Sequence, residues 1–271
     1  MLNDITIGQF FPGRSVIHRM DPRMKLVLTV IYIFIVFIPR NWAGLAIAGV
    51  VLIAGVGLSR LPARLFLKSM RPIIFIILFT SALNIFYVTK GDILFEWRFI
   101  QITSTGIITA VFGSIRIIML IMGSSLMMYT TSPTALTDAI ERLLSPLKIV
   151  RLNVHELAMM MTIALRFIPT LIEETDKIMS AQKARGANID TGGIIKRAKA
   201  MIPVLVPLFI SSFRRAYDLA IAMECRCYRG GEGRTRMKQL RLRRADFISL
   251  AAVSAAVAAM LAANVVFSSV I

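Results

Sequence analysis

Two short arginine motifs, Ala184-Arg185-Gly186 and Cys225-Arg226-Cys227, each close an apolar stretch in the second half of the chain. A guanidinium is planar, always charged and carries five donors. Set between small side chains at a helix end, it can enter a partner's groove without its neighbours clashing. The plainer reading is that each arginine complements a helix carboxyl terminus, worth a few tenths to about 1 kcal/mol. The residues alone leave both readings open. Catalytic chemistry has less to work with. No G-x-x-x-x-G-K-[ST] occurs, and the glycine cluster at 230–233 lacks the following Lys-Ser/Thr, so no P-loop binds nucleotide. Glu173 and Glu174 are adjacent and diverge around a helix, which argues against a paired-carboxylate site. Cys225 and Cys227 are the only cysteines, read as reduced thiols, and His18 and His155 lie far from them in sequence, so no metal site or disulfide framework is expected.

One more residue is chemically conspicuous. Arg116 lies inside an apolar run, about 15 Å from its outer end at helical rise. An ionisable group at that depth is a functional candidate by default. Its structural alternative is a partner within the bundle, such as Asn84 or a backbone carbonyl.

The elements that must position these residues belong in a bilayer. Of 271 residues, 56% are hydrophobic and 17% charged, with mean hydropathy +0.72, against about 25% charged in a soluble domain. Lys and Arg number 32 and Asp and Glu 15, a net charge of +17. In a chain that is mostly membrane span, such charge serves as cytoplasmic anchors rather than as a nucleic-acid surface. The opening stretch, from Met1 to Lys25, is mixed polar and ends in a basic turn, unlike a cleavable signal peptide.

Apolar runs at 26–38, 42–58, 72–89, 106–129 and 247–271 predict five transmembrane helices in an all-α polytopic membrane protein. The first run is the shortest and rises into a hairpin turn at Pro39-Arg40-Asn41, a re-entrant segment being its alternative. Outside these spans, one side of the membrane carries 28 basic residues and the other 3. The positive-inside rule therefore predicts a cytoplasmic amino terminus, a cytoplasmic segment 132–245 and an external carboxyl terminus. Three regions follow: a transmembrane region 1–131, a cytoplasmic helical segment 132–245 and a last transmembrane helix 246–271.

Segment 132–245 reads as amphipathic helices rather than a compact core. Ser132 as N-cap and Pro133 at the first helical position open a short helix ending near Pro146, with Leu136, Ile140, Leu143, Leu144 and Leu147 as its stripe. A second helix starts at Asn153, with Glu156 in a variant capping box, and runs to Arg185 with a kink expected at Pro169. Residues 188–193 break the pattern. The next apolar run, 201–213, contains Pro203 and Pro207 and is too short to span.

With these residues in place, the chain resembles the transmembrane T component of energy-coupling factor vitamin transporters. The resemblance covers nearly the whole chain. It rests on Gly8-Gln9-Phe10 to His18, Met20-Asp21-Pro22-Arg23-Met24-Lys25-Leu26, Thr130-Thr131-Ser132-Pro133, Ala164-Leu165-Arg166-Phe167-Ile168-Pro169-Thr170, Ala181-Gln182-Lys183-Ala184-Arg185-Gly186 and Ser211-Ser212-Phe213-Arg214-Arg215. It implies a non-catalytic subunit of a four-part complex in the cell membrane. The other parts would be two cytoplasmic ATP-binding subunits, which carry ATP and Mg, and a small membrane subunit that captures the vitamin; no cofactor is expected on this chain. It further implies that Arg185 and Arg226, with Ala184, Gly186, Cys225 and Cys227, dock into grooves on the ATPases. Cysteines flanking Arg226 depart from the family pattern, although they keep the flanks small. The run 227–236 looks like the version shared by several capture subunits rather than the dedicated cobalt or nickel version. An Arg at 116 is also part of the resemblance, without a clear role.

The same segment carries apolar surface that something must cover: Met160, Met161 and Ala164 on one helix, Leu205, Leu208, Phe209 and Ser212 on the other. Methionine adapts to varied partners, so these faces are candidates for an exchangeable capture-subunit seat. Lipid contact or packing against the spans is the alternative. Two rival functions remain. A permease or secondary carrier that binds substrate itself would place polar groups and broken helices near the midplane, where the spans offer little besides Arg116 and Asn84. A membrane-embedded enzyme would need a His/Asp/Glu constellation absent from the spans.

Overall fold

The structure, a computed structural model, describes residues 10–88, 92–97, 100–146, 153–187, 193–230 and 240–266. Leu147, residues 188–192, the glycine-rich run 231–236 and the end of the last expected span lie outside them. The described residues divide into two compact units, one within 10–139 and 240–266 and the other within 140–230.

The larger unit holds α1 (Val16–Arg19), α2 (Pro22–Phe37), α3 (Trp42–Ser59), α4 (Ala63–Met70), a 3₁₀ turn Arg71–Ile73, α5 (Ile74–Tyr87), α6 (Ser104–Thr130) and α10 (Arg244–Val266). The opening motif explains how α2 begins. Asp21 is its N-cap, accepting from the Arg23 amide at 2.9 Å, and Pro22 takes the first turn, where no amide is missed. Arg23 closes back on the Asp21 carboxylate through Nε and Nη2 at 3.1 and 2.9 Å. Burial pushes the Asp21 carboxyl upward, but the Arg23 side chain and amide outweigh it and leave it below its ordinary value of 3.8. Its stabilising contribution is therefore present above that value and lost as pH falls through the lower folded one.

Two further residues tie this motif to the rest of the unit. Buried Lys25 donates from Nζ to the Thr130 carbonyl at 2.8 Å, at the end of α6. Asp246, fully buried, accepts from the Asp21 amide at 3.0 Å and from the Arg243 amide at 2.6 Å, joining the starts of α2 and α10. Beyond this polar layer the core is apolar: Tyr32, Ile35 and Val36 of α2, Ala48 and Leu52 of α3, and Met260 of α10. Gly123 lets α6 approach α2, since a Cβ there would lie 2.6 Å from the Tyr32 ring.

Five helical segments are long and apolar enough to cross a membrane: Trp42–Ser59, Ala63–Tyr87, Ser104–Thr130, Val154–Ala184 and Arg244–Val266. The count matches the sequence expectation while one member differs. α2 has 16 residues, about 24 Å at helical rise, and falls below the length of a full span. Val154–Ala184 qualifies by length and composition alone, although it lies in the segment 132–245 that the charge asymmetry predicts to be cytoplasmic. One addition to the all-helical architecture is a small antiparallel hairpin between α5 and α6. Its strands β1 (Ile93–Trp97) and β2 (Ile100–Thr103) pair Phe95 with Ile102 and Trp97 with Ile100. Short β-branched and aromatic runs favour it, and Thr103 then caps α6 by accepting from the Gly106 amide at 3.1 Å.

Replacing Asp246 by Ala would leave the buried Asp21 amide unpaired, at a cost of about 1–3 kcal/mol. Thermal unfolding in detergent should show a lowered midpoint for Asp246→Ala and a smaller loss for Asp246→Asn, which keeps an acceptor oxygen. An unchanged midpoint for both would contradict the anchoring role.

Candidate functional site

The smaller unit contains the end of α7 (Pro133–Leu144), α8 (Val154–Ala184) and α9 (Ile194–Cys225). α7 opens as the sequence predicts, with Ser132 Oγ accepting from the Ala135 amide at 3.3 Å and Pro133 first in the helix. The capping box at α8 does not form. The Asn153 side chain makes no bond to the helix backbone and donates instead to Glu156 Oε2 at 3.1 Å, so the two polar groups satisfy each other. His155 pairs with Glu141 at 3.0 Å across the α7–α8 connection. α8 is continuous through Pro169 and α9 through Pro203 and Pro207.

α8 and α9 are joined by one polar clamp. Glu174 accepts from Ser211 Oγ and, through Oε2, from Arg215 Nε and Nη2 at 3.1 and 2.8 Å. Gln182 Nε2 donates to the Pro203 carbonyl at 3.3 Å. Positions that rise along α8 fall along α9, so the helices run antiparallel and their carboxyl ends point in opposite directions. Glu173 faces away and is exposed, as adjacent positions on a helix require.

Those two carboxyl ends are the arginine motifs, and they have the same backbone geometry. Arg185 is the C-cap of α8; Gly186 has φ +88°, its amide donates to the Lys183 carbonyl at 2.9 Å, and the Ala187 amide donates to Gln182 at 3.0 Å. Arg226 is the C-cap of α9; Cys227 has φ +54°, its amide donates to Glu224 at 2.8 Å, and the Tyr228 amide donates to Met223 at 3.0 Å. Both are Schellman turns, with the residue after the arginine in the left-handed region. Glycine takes that conformation freely, whereas Cys227 carries its strain. Arg185, Arg226 and their flanks Ala184, Gly186, Cys225 and Cys227 are all exposed, and both thiols are free.

The sequence singled out the turns but missed the clamp. Its signal was nevertheless present, because Glu174 and Arg215 have the same separation along the chain as Arg185 and Arg226. Each clamp residue therefore precedes its motif arginine by the same interval, about 16 Å of helix. The apolar candidates lie on the same two helices. Met160, Ala164, Leu205 and Phe209 are exposed, while Met161, Leu208 and Ser212 are half-buried.

Arg116 belongs to the larger unit and finds its partners there. Its Nη2 donates to the Pro39 carbonyl at 2.8 Å, and its guanidinium carbon lies 5.0 Å from the Phe112 ring centre and 5.8 Å from that of Phe37. It helps to satisfy the α2–α3 hairpin turn, where Asn264 also bonds the Ile38 carbonyl and the Arg40 amide. Asn84 bonds the Thr80 carbonyl instead. Among the described residues no group of three His, Cys, Asp or Glu side chains is placed to hold a metal.

Several apolar helices of membrane-crossing length define a polytopic helical membrane protein. The profile of the cobalt transport protein family CbiQ matches residues 13–237. The energy-coupling factor transporter transmembrane protein EcfT of Ruminiclostridium cellulolyticum is 53% identical over 248 residues, covering 92% of each chain. That of Acidaminococcus fermentans is 53% identical over 249 residues, again 92% of each. The Bacillus subtilis protein of the same name is 47% identical over 240 residues, 89% of this chain and 91% of its own. The chain belongs to this family of energy-coupling factor transporter transmembrane proteins, which makes it a multi-pass transport component of a membrane.

The two turns differ in strain, so substitutions at the left-handed position should have opposite signs. Gly186→Ala meets no atom within 4 Å and costs only the conformational penalty, about 1 kcal/mol. Cys227→Gly relieves the same penalty. Amide exchange at Ala187 should quicken about fivefold in the first variant and that at Tyr228 should slow in the second; no change in either would contradict the paired-turn description.

Proposed function

We propose that the chain is the coupling subunit of an ATP-driven importer of a vitamin or other micronutrient. It docks two cytoplasmic ATP-binding subunits through the α8 and α9 turns and passes their motion to a small membrane subunit that captures the substrate. The observation that carries this reading is the pairing of the turns: two matching Schellman geometries, each presenting an exposed arginine at the same helical distance from the Glu174–Arg215 ion pair. A pair of equivalent contact points suits a pair of similar partners.

ATP and Mg belong to those partners, and this chain is not an enzyme. The charge asymmetry of 28 basic residues against 3 supports a cytoplasmic amino terminus and a cytoplasmic 132–245 segment, the side on which ATP-binding subunits work. The division into regions 1–131, 132–245 and 246–271 follows from the same orientation. On the same two helices, the apolar faces around Met160, Met161, Ala164, Leu205, Leu208, Phe209 and Ser212 form the seat of an exchangeable capture subunit, with Phe209 64% and Met160 59% exposed. At helical rise the seat lies about 21–38 Å from the arginine turns, and the two long helices are the rigid arms that carry a shift from one to the other.

One co-purification experiment separates the two roles. Arg185→Glu with Arg226→Glu should leave the protein inserted while the ATPases are lost or uncoupled, because a desolvated interface charge of the wrong sign costs about 2–5 kcal/mol. Leu208→Asp with Phe209→Asp should release the capture subunit and keep both ATPases. Normal uptake and assembly in the arginine pair would overturn the docking role, and the reverse pattern of losses would exchange the two faces.

A further inference from the structure

α4 is short, strongly two-sided and rich in unpaired charge. Arg64 and Lys68 of α4 and Arg71, its helical C-cap, follow one another at four- and three-residue steps, within an arc of about 60° of the helix circumference. All three are exposed, and none has an acidic partner among the described residues. No acidic residue occurs between Asp21 and Asp92, so no countercharge comes from neighbouring sequence. The opposite side of α4 is fixed. Phe66, 3% exposed, meets the Tyr129 ring edge-on at 5.8 Å, and the Tyr129 hydroxyl donates to the Leu65 carbonyl at 3.2 Å.

These contacts set the level of α4 against α6. Ser69 accepts from Ser125 at 3.3 Å, Ser81 bonds Ser114 at 2.7 Å, and Val88 accepts from Thr103 at 2.6 Å. The segment from α4 through α5 thus runs antiparallel along the whole of α6. Its basic stripe lies level with the α6 terminus that Lys25 binds, the end that the charge asymmetry assigns to the cytoplasm. Directly beyond Arg71 the exposed surface becomes apolar, with Phe75 76%, Leu78 64% and Phe79 57% exposed. A cationic band of about 10 Å that passes into bare apolar helix has the polarity profile of a phospholipid with an anionic headgroup.

We propose that Arg64, Lys68 and Arg71 bind the phosphate-bearing headgroup of an anionic phospholipid whose acyl chains lie along the exposed side of α5. Long basic side chains can reach from the helix to the headgroup plane while their stems stay in apolar contact. The ligand is a lipid and not free phosphate, because the apolar surface continues from the cationic one without a break.

The test uses the full chain in detergent, titrated with phosphatidylglycerol or phosphatidylcholine of matched chains and followed by native mass spectrometry. Phosphatidylglycerol should bind at least about tenfold more tightly. The variant carrying Arg64→Gln, Lys68→Gln and Arg71→Gln should lose that preference at about fivefold per charge removed. Lys196→Gln, Arg197→Gln and Lys199→Gln, equally exposed basic positions elsewhere, should keep it. A photoreactive phosphatidylglycerol should cross-link the unaltered chain within residues 63–79, a readout that stands even if the triple variant fails to fold. Equal affinity for the two lipids, an equal loss in the second variant, or cross-links elsewhere would overturn the proposal. So would full displacement by glycerol phosphate, which would point to a free-phosphate site. Protection of Lys68 from an amine reagent by the assembled complex without anionic lipid would make the stripe a protein interface and overturn it as well.

Discussion

The contact of Glu174 with Ser211 and Arg215 governs the geometry of everything at the α8 and α9 ends. It is a partly exposed ion pair, and screened pairs of this kind contribute little to stability. Its consequence lies in register. A carboxylate held on one oxygen by two guanidinium donors and on the other by Ser211 tolerates little sliding, and with Gln182 on the Pro203 carbonyl it fixes which turn of α8 meets which turn of α9. Once that register is set, helical rise alone places Arg185 and Arg226 at equal reach from the pair. A shift of one turn would unmake the pair and change the separation of the two arginines by about 5 Å.

The other unit obeys a different constraint, the need to satisfy every backbone polar group away from water. Its polar residues are concentrated where the backbone has no helical partner. Asp21, Lys25 and Asp246 close the starts of α2 and α10 and the end of α6. Arg116, Asn41 and Asn264 close the α2–α3 turn. Because α2 is short, that turn comes level with the interior of α6, and a long cationic side chain is the means by which α6 reaches it. An arginine that looks functional by its depth is therefore engaged with the backbone of a hairpin that stops early.

What the sequence disclosed follows from which interactions are local. Apolar runs, the Ser132-Pro133 helix start and the two arginine motifs depend on neighbours a few positions away, and each was legible. The early start of α2 is not legible in this way, because Pro22 to Lys25 are a polar flank by composition and join the helix only through the Asp21 cap. Asn153 followed by Glu156 suggested a capping box, but the side chains found each other first. The hairpin before α6 was hidden in a connection with only short β-forming runs. Asp246 accepts an amide from the far end of the chain, and Glu174 meets Arg215 across two long helices; both act over separations that no local pattern reports. The second was recoverable only by applying the motif spacing to the whole of both helices.

The proposed coupling role makes the two Schellman turns equivalent contact points for a pair of ATP-binding subunits. Site-specific photo-cross-linking from the positions just before each arginine, Ala184 and Cys225, tests it most directly, since both are exposed and neither substitution removes the guanidinium. In the assembled transporter each position should cross-link to an ATP-binding subunit, one turn to each of the two. Cross-links from either position only to lipid, to the capture subunit or to the chain itself would overturn that role.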